Sequence, residues 1–379
     1  MSLTKPTDFT IGILGGGQLA KMTAMEARKL GLNVVCLDPH ENAPASMVSH
    51  HIVGSVNDKE KLHKLNALSN VITYEIEHIN TDILKEALPQ DKVFPSIQVL
   101  ETLQDKYKQR TFFQKFNIPM PKFKEVKSLQ DLKDCIPCVQ KAKVGGYDGR
   151  GVVVLKKEED LEKAIKEPSY VEEIVEIEKE LAVIVVRNLN KDVKVYPVVE
   201  MVFNPDGNLL DYLISPADID EFTSKEAQDI AITAVESLNG VGVFGVELFL
   251  DKKGRVLLNE VAPRTHNSGH YTIEACETSQ FEQLVRVLTN LPLGSTYQYL
   301  QASTVNLLGE FGYKGKPIYE NLDKVLSIDG VYVHIYGKRE TFPLRKMGHI
   351  TILDSNRERL LEKTVKVKNL IKVKGEVKI

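Results

Sequence analysis

The stretch KAKVGGYDGRGVVVL, residues 141–155, indicates the fold of the central part of the chain. It reads as two β-strands joined by a glycine-rich loop, with no G-K-[ST] and no following helix, so it is not a P-loop. Glycine permits positive φ and brings backbone N–H groups against phosphate oxygens, and Lys141 suits an α- or β-phosphate. A plain hairpin turn would leave Tyr147, Asp148 and Arg150 unexplained. We therefore predict a nucleotide-phosphate loop built on Gly145, Gly146, Gly149 and Gly151.

A second chemical signal is a pair of carboxylates, Glu247 and Glu260, in two otherwise apolar strands. These strands, GVFGVELFLD (242–251) and RVLLNEVAP (255–263), read as a β-hairpin. A buried carboxylate without a partner is costly, and carboxylate oxygens are ligands that Mg²⁺ prefers. The sequence therefore predicts a Mg²⁺ site, with two salt-bridged core acids as the alternative.

The register of this hairpin decides whether the two carboxylates share a face. With DKKG as the turn, Leu258 pairs with Glu247 and Gly245 pairs with Glu260. Both carboxylates then emerge on one side as diagonal neighbours, about 7–8 Å apart at the backbone. An odd-length loop would break this parity, and Asn259 needs a local bulge or a strand terminus to reach the same face.

Two further segments carry polar groups suited to anions. The segment APRTHNSGH offers hydrogen-bond donors and near-neutral titrating groups within seven residues, namely Arg264, His266, Asn267, Ser268 and His270. The segment YGKRETFPLRKMGHI forms a candidate phosphomonoester clamp with Lys338, Arg339, Arg345 and Lys346.

The N-terminal segment IGILGGGQLAKM, residues 11–22, resembles a dinucleotide-binding turn. Gly15, Gly17 and Ala20 match G-x-G-x-x-G/A, and Asp38 ends the next strand. Strands and helices alternate over residues 11–100, which predicts a parallel sheet flanked by helices. An NAD-dependent dehydrogenase is thus one hypothesis, although it explains nothing after Asp38.

The totals describe an ordinary globular enzyme. The chain has 379 residues, 42% of them hydrophobic and 27% charged, with a net charge of −3. This charge gives no argument for nucleic-acid or membrane binding. No apolar run approaches a membrane span, and the first residues lack the apolar core of a signal peptide. We expect a cytoplasmic enzyme. The lone pair Cys135 and Cys138 is interpreted as core residues, not as a redox or zinc site.

The ordered motifs Lys141, GGYDGRG, VEE, VELF, NEVAPRTHNSGH and RKMGH closely resemble the ATP-grasp superfamily. Within it they resemble the 5-(carboxyamino)imidazole ribonucleotide synthases of purine synthesis. The resemblance implies an α/β and α+β fold with three parts. These are an N-terminal Rossmann-like pre-ATP-grasp domain (1–103), an ATP-grasp domain (104–300) whose residues 135–203 form a glycine-loop lid, and a small β-rich C-terminal domain (301–379).

The same resemblance implies a reaction and its cofactors. Bicarbonate would be joined to the exocyclic amine of 5-aminoimidazole ribonucleotide through carboxyphosphate, with ATP cleaved to ADP and phosphate. ATP and Mg²⁺ would be required, without NAD or biotin. The family also suggests a homodimer with small-molecule substrates and no nucleic-acid or membrane partner.

Residue roles are carried over by motif from the family. The implied ATP contacts are Lys106, Lys141, Gly146, Tyr147, Asp148, Gly149, Arg150, Gly151, Glu172, Glu173, Ile174, Val175, Glu180, Asn259 and Glu260. Glu247 and Glu260 would hold Mg²⁺. The implied catalytic residues, for bicarbonate or carboxyphosphate, are Arg264, His266 and Asn267. The implied contacts of the ribonucleotide are Gln18, Glu75, Tyr147, Asp148, Arg150, Asn267, Ser268, Lys338 and Arg345.

Two positions depart from the family pattern, and other functions remain as alternatives. Lys106 stands where Arg is common, and Phe203 ends an EMVF segment where the family has His, which removes one expected nucleotide contact. Within the superfamily, the alternatives are a formate-using glycinamide ribonucleotide ligase and a biotin carboxylase. A catalytically silent subunit is disfavoured because Lys141, Glu247 and Glu260 are all present.

Overall fold

A computed structural model of the chain describes residues 3–145, 151–203 and 210–379. Within these ranges the helices are α1 (Gln18–Lys29), α2 (Lys59–Leu68), α3 (Thr81–Ala87), α4 (Ile97–Gln104), α5 (Lys106–Gln114), α6 (Leu129–Lys133), α7 (Glu221–Ser237), α8 (Thr272–Ala275), α9 (Gln280–Leu288), α10 (Leu322–Leu326) and α11 (Arg357–Leu370). The strands are β1 (Thr10–Leu14), β2 (Asn33–Asp38), β3 (His50–Val53), β4 (Val71–Tyr74), β5 (Phe123–Val126), β6 (Cys138–Ala142), β7 (Val152–Leu155), β8 (Ser169–Glu172), β9 (Ile177–Arg187), β10 (Val193–Val195), β11 (Val199–Phe203), β12 (Leu210–Ser215), β13 (Gly242–Asp251), β14 (Val256–Ala262), β15 (Gln301–Leu308), β16 (Tyr313–Glu320), β17 (Val331–Ile335), β18 (Lys346–Asp354) and β19 (Lys372–Lys378).

The N-terminal strands form a parallel sheet in the order β3-β2-β1-β4. Its strands are short and apolar because helices cover them, and Ile11, Leu14 and Ile72 are at most 1% exposed. Side chains cap the helices that follow: Asp58 accepts from the first turn of α2 and Asn80 from that of α3. The predicted α/β character of this region is confirmed.

A separate antiparallel sheet in the order β5-β8-β6-β7 contains the predicted strand–loop–strand. Strands β6 and β7 pair with Lys141 opposite Val152, as the hairpin prediction requires. The residues predicted for the loop's tip, Gly146, Tyr147, Asp148, Gly149 and Arg150, lie outside the described residues. Cys138 is buried in a small core with Leu132, Leu155 and Val171.

The largest sheet follows the order β14-β13-β9-β11-β12-β15-β18-β17, with β10 added beside β9. Strand β9 lies between two cores. Ala182, Ile184 and Val186 face one hydrophobic cluster, which includes residues of α9, while the alternating Leu181, Val183 and Val185 face another, which includes residues of α7. Strands β12 and β15 pair from Tyr212↔Val305 to Ser215↔Ala302, so the ladder continues into the C-terminal part of the chain.

The Lys-rich tail forms part of this C-terminal fold. Its apolar residues Val367, Ile371 and Val373 are buried, while Lys374 lies 2.9 Å from Glu320 on the paired strand β16. These apolar positions thus alternate with lysines that are half-buried or exposed. Among the described residues, no helix combines the length and apolar character needed to cross a membrane.

Candidate active site

The hairpin β13–β14 places Glu247 directly opposite Glu260. The predicted pairing with Leu258 and Gly245 is wrong, because two irregularities shift the ladder. The loop has three residues instead of two, so that Asp251 N–H donates to Arg255 O at 3.0 Å. A β-bulge at Asn259 then adds a second one-residue shift. Together the shifts preserve the parity, so the two carboxylates share a face at directly opposed positions, about 4.5–5.5 Å between Cβ atoms.

The environments of the two carboxylates differ. Lys106 Nζ lies 2.7 Å from Glu260 Oε2, whereas Glu247 lies farther from its neighbours His266 and Asn259, at 3.5 Å from His266 Nε2 and 3.5 Å from Asn259 Nδ2. Desolvation, followed by the charge of Glu260, raises the pKa of Glu247. Desolvation also opposes ionisation of Glu260, but the charge and hydrogen bond of Lys106 bring its pKa below the usual value. Two carboxylates thus share one closely paired cation, so a second cation at this site would favour the ionised form of Glu247.

Lys141 reaches this hairpin from the smaller antiparallel sheet. Its Nζ lies 2.8 Å from Glu172 Oε2 and donates to Asn259 Oδ1 at 3.1 Å. Burial lowers the pKa of Lys141, and the charge of Glu172 opposes this shift. The bulge thus serves a second purpose, since it lets Asn259 contact both Lys141 and Glu247.

Arg110 is a site residue that sequence reasoning missed. Its Nε donates to Glu172 Oε1 at 2.6 Å and its Nη1 donates to Leu258 O at 2.7 Å, and the Arg110 and Glu172 side chains are 2% and 3% exposed. Arg110 therefore joins α5, β8 and β14 in one ion-paired network. The sequence gave no signal for this role. Helix α5 is one of several helices that contain lysine and arginine, and nothing in its pattern shows that Arg110 would be buried.

The predicted adenine-side segment follows Glu172. The Glu172 side chain is committed to Arg110 and Lys141, so it acts by holding Lys141 in place. Glu173 N–H donates to Lys122 O at 2.9 Å, and Ile174 is 39% exposed. The nucleotide contacts of residues 172–175 stay a prediction.

Glu180 and Phe203 lie on neighbouring strands of the largest sheet. Glu180, the predicted ribose acid, pairs with Phe249 on one side and Met201 on the other. Desolvation raises its pKa to about 7, with Lys141 acting in the opposite direction. Phe203 packs against a hydrophobic cluster that contains Met201, so this ring adds apolar contact where the family's His would add a polar one. Gly151, the described end of the predicted loop, accepts the N–H of Ala142 at 2.8 Å.

The segment after β14 folds back over the carboxylates. His266 Nδ1 lies 2.7 Å from Ser268 Oγ, which leaves Nε2 on the side of Glu247. Gly245 permits this approach, since a Cβ there would lie 2.5 Å from the Cβ of His266. Arg264 Nε lies 2.8 Å from Glu77 Oε1, and Asn267 starts a short 3₁₀ turn. The structure therefore places His266 beside Glu247, while the predicted contacts of Arg264 and Asn267 with bicarbonate stay a prediction.

The glycine turn before α1 is filled by the protein's own carboxylates. Glu75 accepts hydrogen bonds from the N–H groups of Gly17 and Ala20, and Asp38 accepts from Gly16 N–H at 2.9 Å. Desolvation raises the pKa of Glu75, and its two backbone hydrogen bonds act against this shift. These are the donors that a pyrophosphate would need. Gln18, the first residue of α1, lies partly exposed beside this turn.

The predicted phosphate clamp lies on the C-terminal part of the chain. Lys338 Nζ donates to Lys346 O at 2.8 Å and lies 5.7 Å from the ring centroid of Tyr336. Desolvation, followed by the charge of Arg345, lowers the pKa of Lys338 to about 8, while Glu75 acts to raise it. The clamp and the glycine turn are therefore electrostatic neighbours. Arg345 is held by a hydrogen bond from Nη1 to Glu340 O at 2.8 Å.

Family profiles match three consecutive parts of the chain. They describe a ribonucleotide synthetase preATP-grasp domain (residues 9–104), an ATP-grasp domain (111–281) and a phosphoribosylaminoimidazole carboxylase C-terminal domain (302–363). With the fold and the paired carboxylates, these matches define an ATP-grasp protein.

Relatives and solved structures narrow the assignment. The N5-carboxyaminoimidazole ribonucleotide synthase of Aquifex aeolicus is 38% identical over 377 residues, covering 96% of this chain and 97% of that protein. The synthetase structure from Thermotoga maritima has a TM-score of 0.90 at 49% identity, covering 97% of this chain and all (100%) of that one. The Aspergillus clavatus synthase structure, in complex with ADP and 5-aminoimidazole ribonucleotide, has a TM-score of 0.87 at 31% identity, covering 96% and 100%.

The chain belongs to the N5-carboxyaminoimidazole ribonucleotide synthase family. It spans 65% and 64% of the length of the phosphoribosylaminoimidazole carboxylases of Vigna aconitifolia and Saccharomyces cerevisiae, which it also matches. The dehydrogenase hypothesis is wrong: the glycine turn is real, but its donors are bonded to Glu75 and Asp38.

Proposed function

We propose that this chain carboxylates 5-aminoimidazole ribonucleotide, using bicarbonate and ATP, and releases N5-carboxyaminoimidazole ribonucleotide, ADP and phosphate. The observation that carries the proposal is the convergence of two carboxylates and two amines on the β13–β14 hairpin: Glu247, Glu260, Lys106 and Lys141. Such an arrangement suits a nucleoside triphosphate bound together with Mg²⁺. The names of the matched relatives supply the substrate.

The donor set fits Mg²⁺. Glu247 and Glu260 supply carboxylate oxygens from opposed positions, and the proximity of two carboxylates favours a cation between them. In the part of the chain that the structure describes, no group of three or more His, Cys, Asp or Glu could hold a metal alone. This agrees with Mg²⁺ chemistry, in which one or two carboxylates bind the ion and phosphates and water complete its shell. When bound, the ion would neutralise phosphate charge during phosphoryl transfer.

In the first step of the proposed reaction, a bicarbonate oxygen takes the γ-phosphoryl group of ATP, and ADP leaves with the electrons of the broken P–O bond. Lys141, fixed by Glu172 and Asn259, and Lys106 lie where they can bind the phosphates. Arg264 and His266 would orient bicarbonate. Positioning and charge neutralisation account for most catalysis of such transfers.

In the second step, the amine of the ribonucleotide attacks the carboxyl carbon, phosphate leaves, and the nitrogen loses one proton. The ribonucleotide would lie between the clamp and the glycine turn, since Lys338 and Glu75 are electrostatic neighbours there. Lys338 and Arg345 would bind its 5′-phosphate, and Gln18 and Glu75 its ribose side. Whether the amine meets carboxyphosphate or the CO₂ that it releases, the atoms balance in the same way.

ADP release measured with each substrate omitted in turn tests the proposal. We expect release to require both bicarbonate and 5-aminoimidazole ribonucleotide, and carbon-14 from bicarbonate to appear in the ribonucleotide. Release that instead depends on formate with glycinamide ribonucleotide, or on biotin, would assign the chain to another ATP-grasp reaction. No ATP cleavage with any of these substrates would contradict the proposal.

The family resemblance also supports a cytoplasmic homodimer. Sedimentation velocity at micromolar concentration tests the assembly, and a single monomeric species would contradict it. Fluorescent tagging in the source cell tests the location.

A further inference from the structure

Gln280, the first residue of α9, holds the backbone of His266 from both sides. Its Oε1 accepts from His266 N–H at 2.9 Å, and its Nε2 donates to His266 O at 2.8 Å. Gln280 is fully buried, and its own N–H donates to Thr272 Oγ1 at 2.9 Å. A Cβ at Gly269 would lie 2.5 Å from Gln280 Oε1, so glycine at this position makes room for the amide.

The remaining hydrogen of the Gln280 amide points to His270. Gln280 Nε2 lies 3.2 Å from His270 Nδ1, and because an amide nitrogen only donates, Nδ1 accepts. His270 is therefore a neutral imidazole with its proton on Nε2. Both amide hydrogens and the amide oxygen are used, so turning the amide over would set donors against the N–H of His266 and break these bonds.

His270 is braced in turn by the C-terminal part of the chain. Its ring centroid lies 4.5 Å from that of His349 on β18 and 5.7 Å from that of Phe281. His349 Nδ1 lies 3.0 Å from the hydroxyl of Tyr336, the residue whose ring lies near Lys338. His270 and His349 are 1% and 0% exposed, so water does not compete for these contacts.

We propose that Gln280 is a positioning residue that fixes His266 beside the carboxylate pair, with His270 setting the orientation of its amide. The inference rests on the proposed function for the role given to His266, although the contacts themselves do not. Because the backbone N–H and C=O of His266 are both hydrogen-bonded, the position from which its imidazole side chain extends is fixed. A displacement of the ring by about 1 Å is enough to cost roughly 10²-fold in rate.

The same helix provides a matched control. Gln283, one turn along α9, is also fully buried and makes the same two-sided contact with a different residue. Its Nε2 donates to Gly294 O at 2.9 Å and its Oε1 accepts from Gly294 N–H at 3.0 Å. Gly294 lies outside the candidate site. Removing these two hydrogen bonds therefore measures the effect on stability alone.

The experiment compares Gln280→Met with Gln283→Met, each of which keeps the side-chain length and removes every side-chain hydrogen bond of the glutamine. Both variants should show a lower Tm. We expect kcat/KM for bicarbonate to fall about 10²-fold in Gln280→Met, while KM for ATP and all constants of Gln283→Met change less than about threefold. The ratio of ADP released to ribonucleotide carboxylated should rise in Gln280→Met only. Equal kinetic losses in the two variants would overturn the inference.

Two further measurements keep the test decisive. If Gln280→Met does not fold, His270→Phe is the second variant: it removes the acceptor of the Gln280 amide hydrogen and keeps a ring against His349. We expect kcat/KM for bicarbonate to fall about tenfold in this variant. An unchanged kcat/KM would count against the inference. Nitrogen-15 NMR of the His266 ring needs no turnover. Its resonances should move in Gln280→Met and stay in Gln283→Met, and the reverse would overturn the positioning role. A wild-type chain without bicarbonate-dependent turnover would instead contradict the proposed function.

Discussion

Glu247 and Glu260 face each other across β13 and β14 because two one-residue shifts combine, one in the loop and one at Asn259. Either shift alone would put one carboxylate on the opposite face of the hairpin, since side chains alternate with a period of two. The bulge also turns Asn259 towards Lys141. The bulge at Asn259 therefore contributes both to the pairing of the two acids and to their link with the smaller sheet.

Replacement of Glu260 by Gln should abolish turnover and leave the fold intact. The change replaces one carboxylate oxygen by an NH₂ group and removes the charge that holds Lys106 at 2.7 Å. We expect kcat to fall by at least about 10²-fold, the loss typical of removing one preorganised electrostatic group. ADP release and circular dichroism measure the two properties. Glu282→Gln, in a partly exposed pair with Arg286, is the control; near-normal activity of Glu260→Gln would refute the metal assignment.

Replacement of Arg110 by Met should be strongly destabilising. It leaves Glu172 buried with Lys141 as its remaining cation, and breaking a buried pair in this way costs about 3–5 kcal/mol. Arg286→Met breaks a partly exposed pair with Glu282 and should cost less than about 1 kcal/mol. Urea unfolding measures both free energies. Similar values for the two variants would show that the buried network is not a major stabilising element.

The affinity for the ribonucleotide should weaken above pH 8. The pKa of Lys338 is lowered to about 8, so its amine is charged below that pH and loses its charge as the pH rises through it. Because kcat/KM reports groups of the free enzyme, it should fall roughly tenfold per pH unit above the pKa of a required cation. Lys338→Arg keeps the charge and should shift this descent to higher pH. A profile of the same shape in both proteins would exclude Lys338 as the titrating group.

Ligand-induced thermal shifts should show whether the glycine turn binds a dinucleotide or is filled by the protein's own carboxylates. Mg·ATP should raise Tm, by an amount that grows with its concentration over Kd. NADH should leave Tm unchanged, since the N–H groups of Gly16, Gly17 and Ala20 are already bonded to Asp38 and Glu75. A saturable stabilisation by NADH that Mg·ATP does not abolish would contradict this assignment.

Some of the site follows from local pattern and some from distant pairing. The hairpin and its two acids were predictable because alternation is visible along the chain, while the role of the basic cluster as a phosphate clamp stays a prediction. The register was not, since the three-residue loop with Gly254 is held by hydrogen bonds that Asp251 Oδ1 accepts from the N–H groups of Lys253 and Arg255, and the bulged Asn259 is held by Lys141 from another sheet. The glycine fingerprint predicted the turn correctly, but Glu75 comes from another strand, and sequence spacing does not show what fills a turn.

The pairing of β12 with β15 has a mechanical consequence. The acid pair lies on a continuous ladder that also contains β17 and β18, the two strands joined by the loop that carries Lys338 and Arg345, so moving the acids relative to the base of that loop would require breaking backbone hydrogen bonds across the ladder. We expect this part to behave as a stiff frame that holds both substrate positions at a fixed spacing. Adjustment during a catalytic cycle then falls to the separate sheet that carries Lys141, which contacts the frame through the hydrogen bond of Lys141 to Asn259 and through Arg110, bonded to both Glu172 and Leu258 O.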